Sequence, residues 1–364
     1  MPNEPCTVER KAAMSCETEP PKPASNSMSP SAGQHEAARC ERLRLQWLGL
    51  SSILGFAVLW LFFYGVFQKF PYLSEGSEVI YRAKIDQEFH GAIFPRGTAA
   101  RRVLMFGTST TLAGFIPDRF DGLAAADGLE VSSYNSGYPG RSEFVPQLSR
   151  MVQDKSNIPD VVLLTVPWAP SEKARGLFRP LPDDHKIADF LFPFRHLFRD
   201  SLSFLITSRE HGGPAVFYRE SRRNVSRMLE DRGYYFISEQ SRYPNNRLPD
   251  NFHLGSDQPN LVSLRTADAG SSELLQLKNI LEGNHIQCYF VPDYQREGKV
   301  APAPEVDRPF AELLQNHTNC RVLGPDYYLL PNRMFSDQTH LNPEGAKVYT
   351  EAIYRLVAKQ ALGH

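Results

Sequence analysis

Arg102-Val-Leu-Met-Phe106-Gly-Thr-Ser109 reads as a buried β-strand that ends on a glycine turn and hands a serine to the start of a helix, Thr110 to Phe115. The same unit recurs further along. Val131 to Tyr134 reads as a second strand ending in Asn135-Ser-Gly-Tyr-Pro-Gly140, and a helix from about Glu143 to Gln153 leads to Val161-Val-Leu-Leu-Thr-Val166. That last run is continuous and β-rich, as in a strand covered on both faces. Beyond a gap come a helix near Ser272 to Leu281, a strand at Gln287 to Val291, a helix near Phe310 to Gln315, a short strand at Arg321 to Leu323 and a final helix. Asn342 suits the cap of that helix and Pro343 its first turn, while Val348, Tyr349, Ala352, Ile353, Leu356 and Val357 give it one apolar face. Strands alternating with helices predict an α/β fold built on a doubly wound, mostly parallel sheet. The alternation lapses at about 169–270, rich in Arg, Phe, Pro and Asp, which reads as one large insertion.

Upstream, the chain changes character twice. Residues 1–44 carry Pro2, Pro5, Pro20, Pro21, Pro23 and Pro30 amid Ser, Glu and Lys, and read as a disordered tail. Leu45 to Gln68 then runs about 24 residues without a charge, against the roughly 20 that a helix needs to cross bilayer hydrocarbon. A cleaved signal would have a shorter apolar run nearer the N-terminus, and a core helix would keep a polar stripe. Here the apolar residues point all round, with Trp47 and Tyr64 near the two ends. The expected organisation is therefore a tail at 1–44, a single transmembrane helix in the lipid bilayer at 45–68, a linker at 69–99 and one exported domain at 100–364. Arg39, Arg42 and Arg44 before the span outweigh Lys69 after it, which predicts a cytoplasmic N-terminus and a periplasmic domain at a bacterial inner membrane. Cys6, Cys16 and Cys40 fall in the tail. Only Cys288 and Cys320 lie outside, where an oxidising compartment permits a disulfide if the fold brings them within reach.

Composition narrows the function. With 40 Lys+Arg against 41 Asp+Glu, the 364-residue chain lacks the basic excess of a protein that coats nucleic acid. A mean hydropathy of −0.37 excludes a polytopic transporter. No phosphate loop, Cys-x-x-Cys or His-Glu-x-x-His occurs, so NTPase, zinc-ribbon and zincin chemistries have no support and neither metal nor cofactor is implied.

In an open α/β sheet, ligands bind beyond the carboxyl ends of the strands. Three polar stretches sit there or nearby. Gly107-Thr-Ser109 follows the first strand and places a serine at a helix N-terminus. Asn135-x-Gly137-x-x-Gly140 follows the second, with glycines that let backbone N–H groups approach a ligand. Asp337-Gln-Thr-His340 precedes the last helix. Each alone could be a cap or a turn. Together they supply a serine nucleophile, a base and the carboxylate that holds the base's tautomer.

These blocks, in this order, resemble those of the SGNH (GDSL-like) hydrolase superfamily, whose fold is flavodoxin-like. The resemblance implies Ser109 as nucleophile, His340 as base, Asp337 as its orienter, and an oxyanion hole from the N–H groups of Ser109 and Gly140. Asn135 and Trp168 are expected to meet substrate. Two departures stand out. Thr108 replaces the family's aspartate beside the serine, and the third block, usually Gly-x-Asn-Asp, is Thr165-Val-Pro-Trp168, without the asparagine donor. With an N-terminal anchor, this pattern looks like the exported acyl-transfer proteins of the superfamily, such as those of teichoic-acid D-alanylation and exopolysaccharide O-acetylation. That likeness implies acyl transfer, acetyl foremost, to a polysaccharide acceptor through an acyl-Ser109 intermediate, with a polytopic membrane-bound O-acyltransferase as partner. A tethered carbohydrate esterase and a catalytically inactive assembly or glycan-binding subunit are the alternatives.

Other clusters carry less. Arg179, Arg195, Arg199, Arg219, Arg222, Arg223 and Arg227, interleaved with Phe178, Phe190, Phe192, Phe194 and Phe198, read as a satellite core with a solvated face, able to meet an anionic glycan or lipid headgroups. Asp183-Asp-His185 lacks a second cluster to complete a metal site. Asn224-Val-Ser226 and Asn316-His-Thr318 fit the glycosylation sequon, which matters only in a eukaryotic secretory pathway.

Overall fold

The structure, a computed structural model, describes residues 32–70, 72–73, 76–95, 100–139, 144–165, 194, 197–237, 241–255, 257, 272–302, 305 and 308–363. In chain order the elements are α1 (Ala32–Lys69), α2 (Gly76–His90), β1 (Arg101–Gly107), α3 (Ser109–Gly114), α4 (Pro117–Ala126), β2 (Val131–Gly137), α5 (Phe144–Met151) and β3 (Val161–Leu164). They continue with α6 (Leu197–Ser208), α7 (Pro214–Glu230), α8 (Ser272–Gly283), β4 (Gln287–Phe290), β5 (Asp293–Arg296), α9 (Arg308–His317), β6 (Cys320–Val322), β7 (Tyr327–Leu330) and α10 (Pro343–Ala361). Two compact units divide the chain, Met1–Phe62 and Phe63–His364.

The first unit holds most of α1, whose stretch Glu41–Val66 is long and apolar enough to cross a membrane and is wholly unburied. The expected tail is corrected in part, because residues 32–44 are already helical; the rest of it lies outside the described residues.

In the second unit, five parallel strands lie in the order β2-β1-β3-β4-β6. That order, with helices on both faces, is a doubly wound arrangement whose direction switches between β1 and β3. Period-2 alternation sorts the side chains. Leu104, Phe106, Val162, Leu164 and Phe290 point into a core with α5, α8 and α9, whereas Val103, Met105, Val161, Leu163 and Tyr289 point to α4 and α10. Most of these are under 2% exposed, and burying each large side chain contributes about 1.5–3 kcal/mol. The terminal helix starts as expected, with the Asn342 side chain accepting from Gly345 N–H at 3.0 Å and Pro343 in the first turn.

Two expectations need correction. Residues 69–99 are not a plain linker: α2 buries Val79, Ile80 and Tyr81, and its side chains reach the core. The stretch at about 169–270, expected as an insertion where regular alternation lapses, holds α6 and α7 among its described residues, and Phe217, Val225 and Met228 of α7 are buried. Val79 and Ile80 pack with Leu112, Val225 and Met228 into a third cluster, so α2 and α7 close over the helix that carries Ser109. A separate parallel pair, β5 with β7, was invisible to the alternation of elements. The cysteines do meet: β4 and β6 are neighbours, Cys288 is in register with Cys320, and the two form a disulfide. The exposed arginines of α7 over its buried Phe217 and Met228 match the expected satellite core; Arg179, Arg195, Phe178, Phe190, Phe192 and the Asp183-Asp-His185 stretch lie outside the described residues.

One glycine has no alternative. A Cβ on Gly137, the last residue of β2, would run into Leu112 N and come within 2.8 Å of Leu112 Cα, all of it backbone. Gly137→Ala is expected to cost about 3 kcal/mol or more by overpacking, read as a lower urea midpoint.

Candidate active site

Thr108 caps α3, its hydroxyl accepting from Thr110 N–H at 3.5 Å, and this places Ser109 at the first helical position just past the carboxyl end of β1. There the Ser109 N–H has no carbonyl to bond within its own helix. Gly107 fixes the turn, since a Cβ would collide with the hydroxyls of Thr111 and Thr165, which bond each other at 2.6 Å. Thr110 donates to Asp293 Oδ2 at 3.2 Å and so pins α3 from the start of β5.

The base comes from the other end of the chain. Phe335 and Leu341 form an antiparallel bridge, and Ser336 N–H and Oγ both bond the His340 carbonyl, at 2.9 and 3.1 Å, closing a tight loop over 336–340. Within it, Asp337 Oδ1 accepts the N–H groups of Thr339 and His340, each at 2.7 Å, and Oδ2 lies 2.9 Å from His340 Nδ1. The carboxylate thus shapes its own loop and aims the imidazole. With the proton on Nδ1, facing Asp337, Nε2 is left as acceptor 3.0 Å from Ser109 Oγ, across 231 residues of sequence. The structure brings Ser109, His340 and Asp337 together in the geometry of a nucleophile–base–orienter relay. His340 and Asp337 side chains stay 19% and 36% exposed, so the site is open to solvent.

The remaining expected residues divide. Asn135 is corrected: it is 0% exposed, its amide nitrogen donates to the carbonyls of Thr111 and Phe115 at 2.8 and 2.7 Å, and its oxygen accepts from Gly137 N–H. It fastens β2 to the C-terminal end of α3 and leaves nothing for substrate. Gly140 and Trp168 lie outside the described residues. Thr165, opening the third block, turns its hydroxyl inward to Thr111 and the Phe106 carbonyl.

Beside the triad lies a cavity of about 450 Å³, lined by Asp337, Thr339 and His340 on one side and by Ile237, Ser241, Arg242, Tyr243 and Phe252 on the other. No pattern in the sequence singled out these last five, because they come from irregular chain. Asp293 had a signal, since it lies three residues past the carboxyl end of β4, where sites gather. A larger cavity, about 750 Å³, opens at the amino ends of β1, β4 and β6 beside Arg101, Gln287 and Arg321, far along the strands from Ser109.

Behind the site, α2 inserts two charged side chains one turn apart. Lys84 donates to the carbonyls of Asn135 (2.5 Å) and Gly233 (2.8 Å), and Glu88 accepts from the hydroxyls of Ser136 (2.7 Å) and Tyr138. Both are fully buried. Burial pushes the Lys84 ammonium down to about 7, opposed by the attraction of Glu88, and pushes the Glu88 carboxyl up. Removing one partner leaves a buried charge uncompensated, so Lys84→Met is expected to cost about 3–5 kcal/mol. Combining it with Glu88→Gln should cost less than the two singles summed, read in a double-mutant cycle of urea unfolding.

Among the described residues no cluster of three metal-ligating side chains occurs. Comparison of the chain with family models, with curated proteins and with solved structures found no match.

Proposed function

We propose that the chain is a single-pass membrane protein whose exported SGNH-like domain transfers an acyl group, acetyl in our reading, to a cell-surface polysaccharide through acyl-Ser109. The observation that carries the reading is the Ser109–His340–Asp337 relay, with both hydrogen bonds at 3.0 Å or less. The apolar stretch Glu41–Val66 supports the anchor, Arg39, Arg42 and Arg44 around its start support a cytoplasmic N-terminus, and the Cys288–Cys320 disulfide fits an oxidising compartment.

The chemistry runs in two balanced halves. Ser109 Oγ adds to the carbonyl carbon of an ester donor while His340 Nε2 takes its proton, and the oxyanion is met by the Ser109 N–H. Collapse breaks the bond to the donor's alcohol, which leaves with the proton held on His340. An acceptor hydroxyl then gives its proton to His340 and attacks the acyl carbon, and the second collapse returns that proton to Ser109 Oγ. The cavity flanked by Tyr243 and Phe252 offers aromatic walls against which a sugar ring can lie. A polytopic O-acyltransferase would supply the acyl group, since acyl-CoA is a cytoplasmic donor.

A second reading, a tethered carbohydrate esterase, is favoured by the solvent reaching His340 and Asp337, because water there could take the acceptor's place. Polymer acetylation in cells with and without the gene separates the two: loss of acetyl on deletion supports transfer, and a rise supports hydrolysis. The assembled relay weighs against a catalytically inactive subunit. Absence of labelling by a serine-reactive fluorophosphonate would restore that reading.

A further inference from the structure

On α6, Asp200, Phe204 and Ser208 are buried on one side, while Leu202, Leu205 and Ile206 point away and are 52%, 50% and 58% exposed. A helix on a water-facing surface would carry polar residues at these positions. Among the described residues nothing covers this face. Its flanks are basic, with Arg199 exposed on α6, Arg209 exposed just past its end, and Arg219, Arg222 and Arg223 exposed on the neighbouring α7.

The position of α6 supplies the second argument. It is held to α2 by the Arg82–Asp200 ion pair at 2.5 Å and to α7 by Phe204 against Phe217 at 5.1 Å. The apolar stretch of α1 ends at Val66, and its last turns from Phe63 onward belong to the same compact unit as α6. Phe63 stacks on Phe194, 5.9 Å between ring centroids, and the Phe194 carbonyl accepts from Leu197 N–H at the start of α6. Just past α1, Phe70 and Tyr72 pack edge-on against Tyr218 at 6.2 and 5.7 Å, and Tyr218 in turn meets Phe204 of α6 at 6.4 Å. The helix α6, by its buried side, therefore belongs to a cluster of side chains that begins at Phe63, inside the membrane-competent stretch.

We propose that α6 is an interfacial helix, with Leu202, Leu205 and Ile206 embedded in the headgroup–acyl boundary and the arginines of α6 and α7 set against anionic lipid headgroups. The inference rests on the reading of α1 as a membrane span. It gives the domain a second attachment to lipid and a fixed aspect toward the bilayer.

Site-directed spin labelling of the full chain tests it, in nanodiscs of phosphatidylethanolamine with a minority of phosphatidylglycerol. In a background with Cys6, Cys16 and Cys40 changed to serine, a label is placed at Leu205→Cys, at Leu54→Cys in α1 and at Arg355→Cys, exposed on α10. Collision with oxygen relative to a water-soluble nickel chelate should be several-fold higher at 205 than at 355 and approach the value at 54. A lipid-like label at 54 with a 205 label as wet as 355 overturns this inference alone. A wet label at 54 overturns the span itself and this proposal with it. A label at 205 shielded from both reagents means that protein, not lipid, covers the face, and also overturns it.

Discussion

Replacing Ser109 with alanine is expected to lower turnover of a small ester by on the order of 10⁶-fold and to abolish labelling by a fluorophosphonate. The argument is geometric. His340 Nε2 meets a hydroxyl at 3.0 Å, and without Oγ there is neither a nucleophile nor a proton for the imidazole to take. The residual rate should come from the oxyanion donors and binding alone. Ser109 is only half-buried, so the variant should unfold at nearly the wild-type urea concentration. Turnover left undiminished in a folded Ser109→Ala protein would remove the acyl-serine intermediate from the proposal.

The second large effect lies one residue further from the reacting atoms. Asp337→Asn is expected to cost about 10⁴ in kcat with little change in KM. Asp337 does two jobs: Oδ1 receives the N–H groups of Thr339 and His340, and Oδ2 receives the imidazole Nδ1–H. An amide can keep the first job through its oxygen. The NH₂ would then face Nδ1, favour the tautomer with the proton on Nε2, and turn the base into a donor toward Ser109. A loss expressed mainly in KM, or one matched by an equal drop in stability, would assign Asp337 to loop structure instead.

The relay was legible because each part lies within one short turn beside an element of the sheet. Ser109 follows a four-residue apolar run, and Asp337 and His340 are three residues apart beside a well-capped helix. Only their meeting across the sheet required the fold. By contrast α2 was unreadable, since its most buried positions include Lys84 and Glu88, and charged residues at core-facing sites erase the apolar periodicity that reveals a helix. β5 failed for the same reason: its four residues are Asp293-Tyr-Gln-Arg296, yet Arg296 is buried against Asp257 at 2.7 and 2.8 Å. Asn135 misled in the opposite direction. Its place after a strand suggests substrate contact, but a side chain with two donors and an acceptor is equally suited to joining a strand end to a helix end, and here it does. Whether Cys288 could reach Cys320 depended on β4 and β6 being neighbours, which the order of elements along the chain does not state.

Placing α2 in the body of the domain has a consequence for reach. Between the end of α1 at Lys69 and the start of α2 at Gly76 lie only residues 70–75, a leash of at most about 20 Å even if fully drawn out. A linker running from 69 to 99 could have let the domain range about 100 Å from its anchor. With α1 read as the membrane anchor, so short a connection ties the domain close to it. Under the proposed function, a long polymer acceptor would have to be acylated where it emerges, close to the lipid surface, because so short a leash does not let the domain travel outward to meet it.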